Sequence, residues 1–341
     1  MLIRVPGGVV AAKAAVCGLA LTLLGGCVGS AGGVPDGASR TQPVAARPTI
    51  VTGYALAGSA APSDITRDGD LVDVVGVDGV SLLGPRRVSA LDADAAALRR
   101  AAAAAHRPAI LLVSNYNNRI GDFDERRAHR MLSRARNRTA VVRALTRRAA
   151  GFAGIQIDLE SLRARDRRGL TRFTKALRRA LPRSKELSMA FMASGNGAGY
   201  AARGYDLTRL PRVLDVAVLM TYDQHGPWSG PGPIAALPWV RRELGYFLTR
   251  VPRTKVDLGA AAYGYRWGGG APELSVPQAR SLAGSRARWD ATDGEWHASL
   301  PGGRTLWWDD ARSVELRRRL AAVQHLHGLA VWELGSSGLL R

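Results

Sequence analysis

The chain has 341 residues, 46% of them hydrophobic, and sets 48 Lys and Arg against 28 Asp and Glu for a formal net charge of +20. That length and apolar content can bury a sizeable core and exclude disorder of the whole. The basic excess predicts attraction to phospholipid headgroups, teichoic-type polymers or nucleic acid, but no specific nucleic-acid partner: arginine pairs such as Arg99-Arg100, Arg147-Arg148 and Arg178-Arg179 fall on amphipathic helical patterns, with no nucleic-acid module beside them.

At the N-terminus, Arg4 and Lys13 precede an apolar run from Ala14 to Leu24 that is short for a bilayer span and matches a secretory signal. Leu24-Gly25-Gly26-Cys27 has the form of a bacterial lipobox. It predicts a lipoprotein-type signal over 1–26, lipidation at Cys27, and an exported protein anchored to the outer face of the cell membrane or secreted. Cys17 would leave with the signal, so Cys27 has no disulfide partner and stability falls to the core. Residues 27–48, rich in Gly, Ala, Ser and Pro, read as a flexible tether.

From Thr49 onward, short apolar runs alternate with helical stretches rich in Ala, Arg and Leu, the pattern of βα units around a parallel sheet. Strands are predicted over 50–56, 72–77, 109–113, 154–159, 187–192, 213–221, 256–262 and 329–332, with helices over 92–105, 139–150, 170–181, 238–249 and 311–325. Such a series fits an α/β fold of the (β/α)8 TIM-barrel type, which takes ~250 residues, occupying 49–341. An open doubly wound sheet is the competing architecture, but Tyr54-Ala55-Leu56-Ala57-Gly58 lacks the glycine-rich fingerprint, and no nucleotide cofactor has a cradle. Between 268 and 308 the chain reads as an irregular inserted lobe before the last helix and strand, with Trp289, Trp296, Trp307 and Trp308 among Gly, Pro and Ser.

The densest chemistry lies in Gly154-Ile155-Gln156-Ile157-Asp158-Leu159-Glu160-Ser161. Alternation along a strand puts Gln156, Asp158 and Glu160 on one face and Ile155, Ile157 and Leu159 on the other. Two carboxylates so close cannot both ionise freely, so Glu160 is expected to keep its proton towards neutral pH and act as general acid. Barrel sites collect at the C-terminal strand ends, which here read Ser114-Asn115-Tyr116, Met220-Thr221-Tyr222-Asp223-Gln224-His225, Tyr263-Gly264-Tyr265-Arg266-Trp267 and Trp332-Glu333. Aromatic platforms beside carboxylates and amides predict a pocket for sugar rings. Candidate binding residues are Tyr54, Asn115, Gln156, Tyr263 and Trp267, while Trp239, inside a helical pattern, reads as core. His225, His297, His325 and His327 show no ligand spacing beyond the 325/327 pair, so no metal is expected.

Four separated segments together resemble glycoside hydrolase family 18, the chitinase-like barrels, and most of all its bacterial spore-cortex peptidoglycan hydrolase and N-acetylglucosaminidase branch. The fourth-strand motif D-G-x-D-x-D-x-E stands here as Ala153 through Glu160, M-x-Y-D as Met220-Thr221-Tyr222-Asp223, K-x-x-L-G-x-x-x-Y-G as Lys255 through Gly264, and the terminal barrel tryptophan as Trp332. Trp307-Trp308-Asp309-Asp310-Ala311-Arg312-Ser313 also resembles the W-x-D-D-x-x-S element of the spore branch. Ala153 and Gln156 depart from the Asp of many chitinases, although Gln156 can still hydrogen-bond Asp158. Glu160, whose loss marks the inactive members, is present.

The resemblance implies a substrate-assisted, retaining glycosidase in which the sugar's acetamide replaces a second carboxylate. Glu160 would be the acid and then the base, Asp158 would hold the acetamide N–H, and Tyr222 would bind its oxygen. Asp223 would bind hydroxyls or tune Tyr222, and Trp332 would floor the reacting subsite. The implied partner is an N-acetylglucosamine-containing glycan, chitin or the cell-wall polymer peptidoglycan, bound by a monomer without cofactor. The competing readings are a catalytically inactive, lectin-like surface lipoprotein and a protein held to surfaces by charge alone.

Overall fold

The computed structural model describes residues 49–270 and 272–340, so the expected signal, the lipidation site at Cys27 and the tether lie outside the described residues. Eight parallel strands form a closed barrel: β1 (Ile50–Leu56), β2 (Val74–Gly84), β3 (Ala109–Ser114), β4 (Gly154–Asp158), β5 (Glu186–Met192), β6 (Val216–Met220), β7 (Val256–Ala261) and β8 (Gly328–Trp332). Each pairs with its neighbours in chain order, and β8 returns to β1 with Gly328 opposite Ile50. Around them lie α1 (Pro62–Arg67), α2 (Ala93–Ala104), α3 (Glu125–Ser133), α4 (Ala135–Arg148), α5 (Arg167–Ala180), α6 (Gly197–Ala202), α7 (Leu237–Leu248), α8 (Val276–Ala283), α9 (Ala311–Val323) and α10 (Leu334–Ser337).

Local chemistry starts these helices where they start. The carboxylates of Asp92, Asp124 and Asp310 accept from backbone N–H groups in the first turns of α2, α3 and α9, satisfying donors that have no partner within a helix. Strand alternation then sorts the side chains. Ile155 and Ile157 of β4 join Leu170, Phe173 and Leu177 of α5 in the layer between sheet and helices, where each buried apolar side chain contributes roughly 1.5–3 kcal/mol. The opposite face fills the barrel interior with Tyr54, Leu112, Val216, Val218 and Ala330.

Strand β2 runs past the expected end at residue 77. Asp78-Gly79 has the composition of a turn, yet the chain absorbs it as a bulge between Asp78 and Val80 and continues to Gly84. The bulge leaves Asp78 at the barrel mouth.

The stretch expected to be irregular is ordered, which corrects the sequence reading. Leaving β7, the chain builds a five-stranded antiparallel sheet from Gly264–Trp267, Glu273–Leu274, Arg288–Asp290, Glu295–Leu300 and Arg304–Trp308, with α8 packed on it. Strands of two to six residues broken by Gly and Pro hide their alternation. The lobe has its own core, in which Trp308 is fully buried and stacks on Trp296 with ring centroids 6.0 Å apart.

A buried ion network fastens the lobe to the barrel. Arg317 of α9, fully buried, lies 3.2 Å from Asp309 and 3.4 Å from Glu295 and donates to the carbonyls of Gly294 and Ala235. Glu295 in turn accepts the backbone N–H groups of Ile234 and Ala235 ahead of α7. Two fully buried carboxyls share one guanidinium, so burial pushes Glu295 well up and Asp309 up to about 7. Within the W-x-D-D-x-x-S element, Asp309 serves this network and Asp310 caps α9, both fold-building tasks.

Candidate active site

The C-terminal strand ends open into a cleft of about 1930 Å³. Gln156, Asp158 and Glu160 all line it, as the period of β4 requires. Asp158 is 7% exposed and sits opposite Ser114 of β3 in register. Glu160 lies two residues past the end of β4 and is held by its backbone: its N–H donates to Asn115 Oδ1 at 2.8 Å, and its carbonyl accepts from Asn115 Nδ2 at 2.9 Å. The next residue, Ser161, has φ 57°, a left-handed conformation that costs a non-glycine residue energy and turns the chain away directly after Glu160.

Beneath the acids, Tyr54 is 2% exposed and donates its hydroxyl to Gln156 Oε1 at 2.9 Å; Ser188 Oγ donates to the same oxygen at 3.4 Å. Position 156 thus suits an amide, whose oxygen takes two protons from the barrel interior. Ala153 lies five residues before Asp158, roughly 16 Å down the strand, where its backbone joins β3 and β5. The other departure from the motif is therefore far from the acids.

Tyr222 at the end of β6 is half-buried in the cleft wall, and burial, reinforced by Tyr54, Asp158, Asp223 and Glu160, pushes its hydroxyl well above the ordinary range. It remains a neutral donor at any physiological pH. Trp332 at the end of β8 tilts over Tyr54, with centroids 5.4 Å apart, and presents its other side to the cleft. Asp223, at φ 61°, also faces the cleft, and its Oδ1 accepts from the hydroxyls of Tyr263 and Tyr265.

Three expected binding residues stand behind the wall rather than in it. Asn115 is 0% exposed and spends its amide on Glu160; Tyr263 is buried against Asp223; Trp267 donates its indole N–H to the carbonyls of Gly226 and Ser229, fixing the loop that carries Trp228. Trp239, expected in the core, is half-buried, packs against it and also lines the cleft from the first turn of α7. The strand-end reading also missed Asp78 from the bulge, Trp228, and Glu273 from the lobe, all of which line the cleft. Burial beside Asp92 raises the Asp78 carboxyl to about 6, and burial beside Asp223 and Glu333 raises Glu273 to about 7.

A parallel barrel with paired acids at the end of β4, a tyrosine-aspartate pair at the end of β6 and a tryptophan at the end of β8 defines a glycosidase-type site. The model of glycosyl hydrolases family 18 matches residues 120–336, and the chain belongs to that family. It is 25% identical over 244 residues to the glycosylase YvbX of Bacillus subtilis, covering 66% of this chain and 70% of the relative. The cortical fragment-lytic enzyme of Bacillus subtilis is 28% identical over 209 residues, 56% of this chain and 48% of that protein, so the match spans about half of that relative. Among solved structures, a class V chitininase from Pseudomonas fluorescens superposes with TM-score 0.77 at 26% identity, over 86% of this chain and 97% of that one. The Bacillus cereus spore cortex-lytic enzyme SleL, at 21% identity over 86% of this chain and 72% of that one, shares the fold with TM-score 0.76.

Proposed function

We propose that this glycoside hydrolase cleaves β-1,4 bonds of N-acetylglucosamine-containing polysaccharide, peptidoglycan or chitin, with retention of configuration. The observation that carries the reading is the placement of Glu160 in the cleft by a two-point backbone clamp, with Asp158 on the same face and the neutral hydroxyl of Tyr222 in the same wall. Glu160 donates a proton to the glycosidic oxygen as the C1–O bond breaks. The 2-acetamido oxygen forms the new bond to C1, giving an oxazolinium ion. Asp158 holds the acetamide N–H and balances the charge, Tyr222 orients the acetamide oxygen, and Trp332 supports the sugar ring. Glu160, now ionised, takes a proton from the water that reopens the ring. We further propose that the protein is an exported monomer, anchored through Cys27 to the outer face of the cell membrane; transfer of a Cys27→Ala variant from membrane to medium would test the anchor.

The deciding experiment follows new reducing ends from chitooligosaccharides and purified peptidoglycan, with the wild-type chain and Glu160→Gln. Release by the wild type alone supports the assignment and names the polymer. Equal release by both removes Glu160 from the chemistry, and silence from both with glycan still bound makes the protein a lectin-like surface binder.

A further inference from the structure

The basic excess is concentrated on one flank of the barrel. Residues 125–180, which carry α3, α4 and α5, hold 17 of the 48 Lys and Arg but only four acids, Glu125, Asp158, Glu160 and Asp166. Three of those acids, Glu125, Asp158 and Glu160, line the cleft. On this flank lies a second concavity of about 270 Å³, lined by Leu132, Ser133, Arg138, Arg165, Asp166, Arg168, Gly169 and Arg172, none of which lines the cleft.

Gly169 makes this concavity possible. A Cβ there would stand 2.6 Å from the carbonyl oxygen of Leu132, so only glycine lets the first turn of α5 close onto the end of α3. That approach sets Arg168 and Arg172 beside Arg138, which is 8% exposed and reaches in from α4. Arg138 gives one N–H to the Leu132 carbonyl at 2.6 Å and, among the described residues, has no carboxylate partner. Among the described residues, the side chains of Arg168 and Arg172 make neither ion pair nor hydrogen bond, while Arg165 is engaged by Glu125. The single acid, Asp166, is committed to His129 at 2.6 Å and to the backbone of Arg163.

A buried guanidinium facing further guanidinia without a carboxylate is unfavourable. Burial and the charge of Arg172 hold Arg138 below its ordinary value. An anion in the concavity would relieve that repulsion and accept the unused fork of N–H groups, and tetrahedral phosphoryl oxygens suit such forks. We infer that the concavity between α3, α4 and α5 binds a phosphate or phosphodiester group. Its chemistry is shared by lipid headgroups and polyol-phosphate wall polymers, and occupancy would hold the barrel by its flank while the cleft stays open.

Calorimetric titration of the full chain with inorganic phosphate tests this. Saturation at one phosphate per chain is expected, with Arg168→Gln/Arg172→Gln binding roughly tenfold more weakly, the loss of about one charge-assisted hydrogen bond. Arg143→Gln/Arg147→Gln, which removes equal charge from exposed positions of α4, should leave binding nearly unchanged. Glu160→Gln should also bind phosphate normally, separating this site from the glycan reading. Equal weakening of both double variants, or no saturable binding, overturns the inference. Phosphatidylglycerol vesicles and soluble polyglycerol phosphate, each competed with free phosphate, distinguish the two sources.

Discussion

Asn115 grips Glu160 by both backbone polar groups, from 45 positions away in the chain and with no contact to solvent. The acid is thus aimed by β3, the neighbouring strand, although β4 carries it. Asn115→Ala should lower kcat roughly 10- to 100-fold, the loss expected for about 1 Å of misplacement, with a smaller change in KM. Steady-state kinetics on a soluble oligosaccharide would check this, and a change confined to KM would contradict it.

The ring of Tyr54 occupies the space that a side chain at Gly76 would need, since a Cβ there would lie 2.2 Å from Tyr54 Cδ1. Tyr54 cannot yield easily, being bonded to Gln156 and packed on Trp332. Gly76→Ala should destabilise by about 1–3 kcal/mol and lower kcat/KM by tilting the cleft floor. Gly245→Ala, in α7 with open space around the new methyl, should stabilise by about 0.5–1 kcal/mol. Chemical denaturation of both variants provides the comparison.

The Asp309 carboxyl titrates at about 7 in the fold against a reference value of 3.8. A raised acid binds more protons folded than unfolded, so its contribution is fully present below the reference value and is lost as pH rises through about 7. Relative to Asp309→Asn, the wild type should therefore gain stability as pH falls from about 7 to about 4. Thermal melts across that window would decide it, and parallel curves would refute the assignment.

Glu273 reaches the cleft from the lobe beside Asp223 and Glu333 and titrates at about 7. A neutral sugar covering it must desolvate the carboxylate above that pH but only a carboxyl below it. KM for uncharged oligosaccharides should rise as pH passes 7 in the wild type and lose that rise in Glu273→Gln. Profiles of KM against pH for the two proteins check the point.

What the sequence disclosed and what it hid have physical causes. The β4 acids were legible because a period of two is written into Ile155, Ile157 and Leu159, and each of the eight strands overlaps a predicted apolar run, although β2 extends seven residues beyond its predicted end. Asp78 was hidden because Asp-Gly spells a turn to local reading, whereas pairing with β3 makes it a bulge. Trp239 packs against the core as its helical pattern predicted, but its place in the first turn of α7 also lets it line the cleft, which periodicity alone does not reveal. The task of Asn115 left no trace in its own segment, since its partner is the main chain of a distant residue. The same holds for Arg317, one arginine among many until the fold seals it from water.

Arg317 also bears on how the lobe could be exchanged. Its guanidinium sits on the last long helix of the barrel, while Glu295 and Asp309 arrive from the lobe and its exit. A graft replacing 264–308 to alter the cleft would keep the cation and discard Glu295, leaving a sealed positive charge with only Asp309 opposite. Breaking such a pair costs about 3–5 kcal/mol, a large part of what holds a domain together. The lobe and α9 are therefore one heritable unit, and a working chimera would have to carry its seam from about residue 234 through α9 rather than cut at the lobe's visible edges.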